Sequence, residues 1–299
     1  MSETITISPK ACLFDMDGTL IDSSPAVVVA WETMKETYPF LDLDHILKSA
    51  HGYRTVDALR KWCLIDDQEL LAKEVVRFEV AILEAAKARS ASGADGIVSL
   101  PGVKDLLRQI GEGAEEARDG FEGWAICTSS THFYASQAIP TAGLPMPKIF
   151  ITAESVTKGK PAPDPYLLGA KRNNAEPNQC VVFEDAPTGI RSGKAAGCVV
   201  LATCTSHTRE SLEKEHPDFL VEDLSHVQAK WVDGELHLTI EQPTDRASPA
   251  PTPLATPSVS RSGSQENLSE FAKAAKTGRT PVGTPAADIK GALRGMSGF

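Results

Sequence analysis

The chain has 299 residues, of which 41% are hydrophobic and 23% are charged, a composition ordinary for a soluble globular protein. It contains no apolar run of about 18 residues that could span a membrane, and residues 1–8 lack the basic start and apolar segment of a signal peptide. The net charge of −10 argues against nucleic acid as the main partner, and six cysteines without a Cys-x-x-Cys pair indicate a reduced protein inside the cell.

The first predicted central strand covers the apolar residues 11–14, and two carboxylates, Asp15 and Asp17, follow it directly. In an open α/β sheet, the carboxyl end of such a strand is where ligands bind. Aspartates two residues apart at that end can share one hard cation, and a carboxylate can also attack phosphorus. Gly18 lets the backbone turn there and approach a substrate closely.

The next stretch, residues 22–100, is predominantly helical in pattern. Helical periodicity covers residues 26–38, 55–64 and 66–91, and no strand-turn-strand pattern interrupts it. We therefore predict a separate helical module inserted after the first strand.

The remainder of the chain to residue 242 alternates between strand and helix patterns. Five further strands are predicted at residues 124–127, 149–151, 180–183, 198–201 and 219–221. This alternation predicts an α/β fold, with a doubly wound, Rossmann-like parallel sheet. Residues 111–123 are polar and contain glycine, which indicates an exposed loop, and residues 230–238 predict a terminal hairpin with an Asp-Gly turn.

The composition changes at residue 243, where Pro, Ser, Thr and Ala become frequent and large apolar residues become rare. Such a composition predicts a disordered C-terminal tail. The predicted organisation is thus an α/β core of residues 1–21 and 101–242, a helical cap of residues 22–100, and a tail of residues 243–299.

Three further groups of polar residues follow the predicted strands. The hydroxyl of Thr128 and the backbone amide of Ser129 can bind phosphate oxygens, although such a pair alone is usually a helix cap. Lys160, in a proline-rich run, can neutralise a transferring phosphoryl group. Glu184 and Asp185 end another strand and can complete a magnesium site.

The run Phe14-Asp15-Met16-Asp17-Gly18-Thr19-Leu20, followed by those three groups in that order, resembles the motifs of the haloacid-dehalogenase superfamily. The resemblance covers residues 10 to about 225. It implies that Asp15 is a nucleophile forming an aspartyl-phosphate. It also implies that Asp17 is the general acid for the leaving alcohol and then the general base for water. Asp17 argues against a dehalogenase, because that branch differs at this position and needs no metal.

The same resemblance implies the binding groups around the nucleophile. Thr128 and Lys160 would hold the phosphoryl group. Asp15, the carbonyl of Asp17 and Asp185 would bind Mg²⁺, with Glu184 as a nearby contributor.

A closer resemblance, to the glycerol-1-phosphatases and 2-deoxyglucose-6-phosphatases, rests on residues 49–58, 158–166 and 182–190. It directs attention to His51 and Arg54 in the helical module as substrate-binding residues. The alternative for Arg54 is a solvated residue at the start of a helix.

These observations predict a Mg²⁺-dependent hydrolase of a small phosphorylated polyol or sugar. Glycerol 3-phosphate or glycerol 1-phosphate is the favoured substrate, and 2-deoxyglucose 6-phosphate is the next. A phosphomutase of the same superfamily shares all these motifs and stays open, as does a catalytically idle scaffold that acts through its tail. We expect a cytoplasmic monomer with no nucleic-acid or membrane partner.

Overall fold

The structure is a computed structural model, and it describes residues 2–50, 52–117 and 123–243. The strands of these residues are β1 (Ser2–Ile7), β2 (Ala11–Phe14), β3 (Ile21–Asp22), β4 (Val98–Ser99), β5 (Trp124–Cys127), β6 (Phe150–Ile151), β7 (Cys180–Glu184), β8 (Val199–Thr203), β9 (Phe219–Val221), β10 (Val227–Val232) and β11 (Glu235–Pro243). The α-helices are α1 (Ser24–Thr37), α2 (Leu43–Ser49), α3 (Thr55–Cys63), α4 (Gln68–Ala91), α5 (Val103–Ala117), α6 (His132–Thr141), α7 (Asp164–Arg172), α8 (Pro187–Ala196) and α9 (Arg209–Glu213).

The centre of the fold is a sheet with the strand order β6-β5-β2-β7-β8-β9, in which all neighbours are parallel. Its strands are apolar apart from Glu184 and Thr203, which stand at the carboxyl ends of β7 and β8, because helices cover both faces of the sheet. On one face the rings of Phe14 and Phe183 stack 4.3 Å apart, while Leu13 and Val182 join the core on the other face. The doubly wound parallel sheet predicted from the sequence is confirmed.

Helices α1 to α4 lie between the first and second central strands. Trp31 of α1 is buried against Phe78 of α4, with ring centroids 4.7 Å apart. This stretch was predicted to be predominantly helical, and the structure adds two short strands at its ends, β3 and β4, which pair antiparallel with Ile21 opposite Ser99. This short ladder joins the two ends of the inserted stretch.

The prediction of a loop at residues 111–123 was wrong for residues 111–117, because α5 continues to residue 117. Leu106, Leu107 and Ile110 are buried on one face of this helix. Their burial outweighs the low helix propensity of Gly111, which would cost only about 1 kcal/mol. Residues 118–122 lie outside the described part of the chain.

The predicted terminal hairpin forms, but it belongs to a larger sheet with the order β1-β11-β10. Strand β1 pairs along β11 from Ser2 opposite Pro243 to Ile7 opposite Leu238. The predicted tail beyond Pro243 lies outside the described residues. Within the part of the chain that is described, no helix has both the length and the apolar character needed to cross a bilayer.

Candidate active site

Three neighbouring strands, β5, β2 and β7, bring the predicted site residues to one edge of the sheet. The amide of Asp15 donates to the carbonyl of Phe183 at 3.0 Å, so the end of β2 is held beside the end of β7. The amide of Thr128, directly after β5, donates to the carbonyl of Ile151 at 2.9 Å. Parallel strands leave their carboxyl ends at a common edge, which explains why motifs far apart in sequence meet there.

The side chain of Lys160 links the first and last of these motifs. Its ammonium donates to Oδ1 of Asp15, and to Oε1 of Glu184 at 2.6 Å. The hydroxyl of Tyr166 donates to the same Glu184 oxygen, also at 2.6 Å. Burial opposes the charged form of Lys160, but the carboxylates of Asp15 and Glu184 raise its pKa above the ordinary value. Lys160 is therefore a fixed positive charge beside Asp15.

Asp15, Glu184 and Asp185 form a buried cluster in which one carboxylate oxygen from each lies within 4.8 Å of the others. Burial raises the pKa of Asp15 well above its usual range and that of Asp185 to about 7, and the neighbouring carboxylates add to both shifts. A hard divalent cation would relieve this crowding of negative groups, so the donor set fits Mg²⁺. The two oxygens of Glu184 already accept from Lys160, from Tyr166 and from backbone amides. That Glu184 lies near the metal without being one of its main ligands stays a prediction.

The carboxylate of Asp17 lies outside that cluster and accepts three hydroxyl hydrogen bonds. Ser23 donates to Oδ1 at 2.7 Å, and Tyr134 donates to the same oxygen at 2.9 Å. Ser130 donates to Oδ2 at 2.8 Å. Asp17 is therefore oriented by hydroxyl groups, as distinct from Asp15, which is paired with a lysine.

Thr128 and Ser129 are both buried at the end of β5. Oγ1 of Thr128 accepts from the amide of Ser130 at 3.0 Å. The hydroxyl of Ser129 donates to the carbonyl of Gly52 at 2.9 Å, and Gly52 belongs to the inserted helical stretch. Ser129 thus ties the predicted cap to the predicted phosphate-binding strand end.

Arg54 lies against the loop that carries Lys160. A Cβ on Gly159 would lie 2.8 Å from Cδ of Arg54, and the Arg54 guanidinium donates to the carbonyl of Thr157 at 3.4 Å. Its Nε donates to Asp57 at 2.6 Å, and its side chain is only 21% exposed, unlike that of a freely solvated residue. His51, the other cap residue predicted to bind substrate, lies outside the described residues.

Gly18 packs directly against the carboxylate of Asp185. Its φ of +89° and the overlap that any Cβ would make with that carboxylate both require glycine here. Thr19 donates to Oδ1 of Asp185 at 3.0 Å, and the hydroxyl of Ser206 donates to Oδ2. The turn after β2 therefore shapes the wall of the site as well as supplying Asp15 and Asp17.

Five residues of this site were not found by reasoning from the sequence, namely Ser23, Ser130, Tyr134, Tyr166 and Ser206. Ser23 and Ser130 stand beside predicted motif residues, so adjacency could have drawn attention to them. The tyrosines read as ordinary helix residues, and only the packing of α6 and α7 against the strand ends brings their hydroxyls to the carboxylates.

Comparisons with known proteins agree on one relationship. Residues 9–197 match the haloacid dehalogenase-like hydrolase family. Hexitol phosphatase A of Escherichia coli is 40% identical over 64% of this chain and 82% of its own length. Glycerol-1-phosphate phosphohydrolase 2 of Saccharomyces cerevisiae is 31% identical over 78% of this chain and 90% of its own. A hydrolase from Pseudomonas syringae has the same fold, with a TM-score of 0.57, 23% identity, and coverage of 72% of this chain and 93% of that one.

Proposed function

Because this chain belongs to the haloacid dehalogenase-like hydrolases, we propose that it releases inorganic phosphate from a small polyol phosphate through an aspartyl-phosphate on Asp15. The resemblance predicted from the sequence is confirmed, and the relatives identify a phosphoric monoester hydrolase. That identification sets aside the catalytically idle scaffold. The observation that carries the proposal is the buried Asp15 carboxylate, held by Lys160 beside Glu184 and Asp185.

In the first half of the proposed reaction, a carboxylate oxygen of Asp15 forms a bond to phosphorus while the ester P–O bond breaks. The electron pair of that bond leaves with the alcohol oxygen, which takes the proton of the Asp17 carboxyl. Lys160 and Thr128 hold the transferring group, and the ammonium offsets its negative charge. Alcohol leaves, and the phosphoryl group remains on Asp15.

In the second half, Asp17 is a carboxylate and can take a proton from water. The water oxygen forms a bond to phosphorus while the bond from phosphorus to Asp15 breaks, and inorganic phosphate is released. Asp17 ends this step protonated, as it began the first. One residue can therefore serve both halves without any external acid or base.

Asp15 and Asp185 are the side chains proposed to hold Mg²⁺, together with the backbone carbonyl of Asp17. When bound, the ion would supply positive charge next to the phosphoryl oxygens. Among the described residues, Lys160 also places a positive side chain on Asp15 through a hydrogen bond.

The proposed substrate is the phosphate ester of a short polyol. The two named relatives act on hexitol phosphates and on glycerol 1-phosphate, as their names state. We assign contact with the alcohol portion to Arg54 and the loop at Gly52, because Arg54 lies against the loop that carries Lys160 and the Gly52 carbonyl accepts from Ser129. A polar side chain at that place would suit a hydroxylated substrate. Glycerol phosphates are the first substrates to test, and hexitol phosphates and 2-deoxyglucose 6-phosphate come next.

The test is phosphate release from these esters in Mg²⁺ buffer by the unaltered protein and by Asp15→Asn. We expect the variant to lose more than about 10³-fold in kcat, because it lacks the nucleophile. Asp95→Asn, which removes an exposed carboxylate outside the site, should behave like the unaltered protein. Near-normal release by Asp15→Asn would contradict the mechanism, and an isomeric sugar phosphate in place of inorganic phosphate would identify a phosphomutase.

The metal assignment is tested in the same experiment, with chelator and then excess Mg²⁺. Chelation should abolish phosphate release and Mg²⁺ should restore it. Mg²⁺ should also raise the melting temperature of the unaltered protein but not that of Asp185→Asn, which loses one ligand charge. Full turnover in excess chelator would contradict a metal requirement.

A further inference from the structure

The carboxylate of Asp17 is enclosed by hydroxyls from three separate parts of the chain. Ser23 stands at the start of α1, Ser130 follows β5, and Tyr134 lies within α6. Ser23 and Ser130 come with the loops that form the site. Tyr134 is separated from Asp17 by 117 positions, and the residue is only 3% exposed.

The position of Tyr134 is set by the first turn of α6. Thr131 caps this helix by accepting from the amide of Tyr134 at 3.3 Å. The hydroxyl of Thr131 in turn donates to Glu79 of α4 at 2.5 Å. The start of α6 is therefore held by the buried side chain of Glu79, which fixes the position from which the Tyr134 hydroxyl contacts Asp17.

A donor on Asp17 has a specific effect in the proposed reaction. As the Asp17 carboxyl gives its proton to the leaving oxygen, negative charge develops on the carboxylate that Tyr134 contacts. A hydrogen bond to a charged group is stronger than one to a neutral group. A donor fixed in place thus stabilises the transition state more than the bound substrate.

Resting on the function proposed above, we propose that Tyr134 is a positioning residue for general acid catalysis, which orients Asp17 toward the leaving-group oxygen and stabilises its carboxylate as charge develops. The alternative is that Tyr134 is a core tyrosine whose hydrogen bond to Asp17 only satisfies a buried hydroxyl, as is usual for buried tyrosines. The two readings differ in their dependence on the leaving group.

The experiment compares Tyr134→Phe with the unaltered protein on two substrates, glycerol 3-phosphate and p-nitrophenyl phosphate. An alkoxide leaves poorly unless it is protonated, whereas nitrophenolate is a stable leaving group that needs little acid assistance. Since kcat/KM reports the first phosphoryl transfer, we expect Tyr134→Phe to lower it at least about tenfold for glycerol 3-phosphate and less than about threefold for p-nitrophenyl phosphate. Ser130→Ala, which removes the donor to the other Asp17 oxygen, should show the same split.

Tyr38→Phe is the matched control, because it removes a tyrosine hydroxyl from α1's C-terminal boundary, away from the site. It should leave both substrates unaffected. Equal losses on both substrates for Tyr134→Phe, or no loss on either, would overturn the positioning role. Asp15→Asn is run beside it: if that variant is inactive while Tyr134→Phe shows no split, the inference about Tyr134 fails and the proposed function stands. If Asp15→Asn is active, the proposed function itself fails.

Discussion

At the scale of single residues, Arg54 connects the inserted helical stretch to the loop that carries Lys160. It donates to Asp57 in the first turn of α3, which it precedes, and to the carbonyl of Thr157. Gly159 leaves the space that its side chain occupies. The groups around Asp15 would serve any phosphate monoester, so discrimination among alcohols has to come from residues such as this one.

We expect Arg54→Ala to lower kcat/KM for glycerol 3-phosphate by roughly tenfold, through a higher KM. For propyl phosphate, which lacks the hydroxyls, kcat/KM should change by less than about threefold. The reason is that a site built to bind hydroxyl groups loses affinity only for substrates that carry them. Initial rates of phosphate release over a range of concentrations of both esters measure this difference.

Arg60→Ala is the control for charge alone, because Arg60 lies 3.6 Å from the other oxygen of Asp57 and is more exposed. It should leave both substrates unaffected. Equal losses on both esters for Arg54→Ala would instead assign Arg54 to the shared phosphoryl site.

The sequence predicted the residues that follow strands in a fixed order, Asp15, Thr128, Lys160 and Asp185, because strand ends of a parallel sheet converge. It could not predict Tyr134, since nothing local distinguishes a tyrosine whose hydroxyl reaches a carboxylate from one that fills a core. That contact depends on how α6 packs against the sheet, which is a tertiary property.

At the scale of elements, helix α4 bonds to two other segments through the buried side chain of Glu79. One carboxylate oxygen accepts from Thr55 at the start of α3, at 3.0 Å, and the other accepts from Thr131 at the start of α6, at 2.5 Å. Glu79 is only 1% exposed. Burial raises its pKa to about 7, against the two hydroxyl hydrogen bonds, which lower it.

This shift gives stability a specific pH dependence. The pKa of Glu79 is about 7 in the folded protein and 4.5 when the side chain is solvated. Between these two pKa values the folded state therefore binds more protons than the unfolded state. Stability contributed by the proton is complete below about pH 4.5 and is lost as pH rises to about 7. We expect the unaltered protein to lose up to about 3 kcal/mol relative to Glu79→Gln over this window.

Urea unfolding at several pH values measures the difference. Glu84→Gln, at an exposed position of the same helix, is the matched control and should give a curve parallel to that of the unaltered protein. A parallel curve for Glu79→Gln as well would show that the buried carboxyl does not titrate in this window.

Helix α5 shows where reasoning from element patterns failed. Gly111 and the polar residues after it indicated a loop, yet the helix continues to residue 117. On the preceding turns, the side chain of Gln109 accepts from the amide of Ala229, and the carbonyl of Ile110 accepts from the indole of Trp231. These two bonds hold the middle of α5 against β10, and the Glu and Ala residues after Gly111 favour helix, so one glycine does not end it.

At the scale of the whole molecule, β11 is the last described strand of the folded body and the central strand of its sheet, because it pairs with both β1 and β10. Leu238 and Ile240 on this strand are fully buried. The predicted tail begins where this strand ends, so catalysis and stability should depend on the strand and not on the tail.

Truncation after Pro243 should leave the melting temperature and kcat/KM unchanged, because every pair of the β1–β11 ladder is kept. Truncation after Leu238 should cost about 2 kcal/mol or more, because it removes the buried Ile240 and most of the pairs of β11 with β1. Calorimetry and phosphate-release assays of both truncations test this boundary. A large loss from the first truncation would show that the tail supports the folded body.

The pairing of β1 with β11 also decides how the body would respond to mechanical force. Ser2 lies opposite Pro243, so both ends of the body emerge at the same end of one antiparallel ladder. A load applied between them would peel the ladder apart one pair at a time, rather than shear all its hydrogen bonds at once. Strands β1 and β11 therefore contribute to thermal stability but would separate at low force when pulled apart. The pull could come from a protein-unfolding motor or from an optical trap.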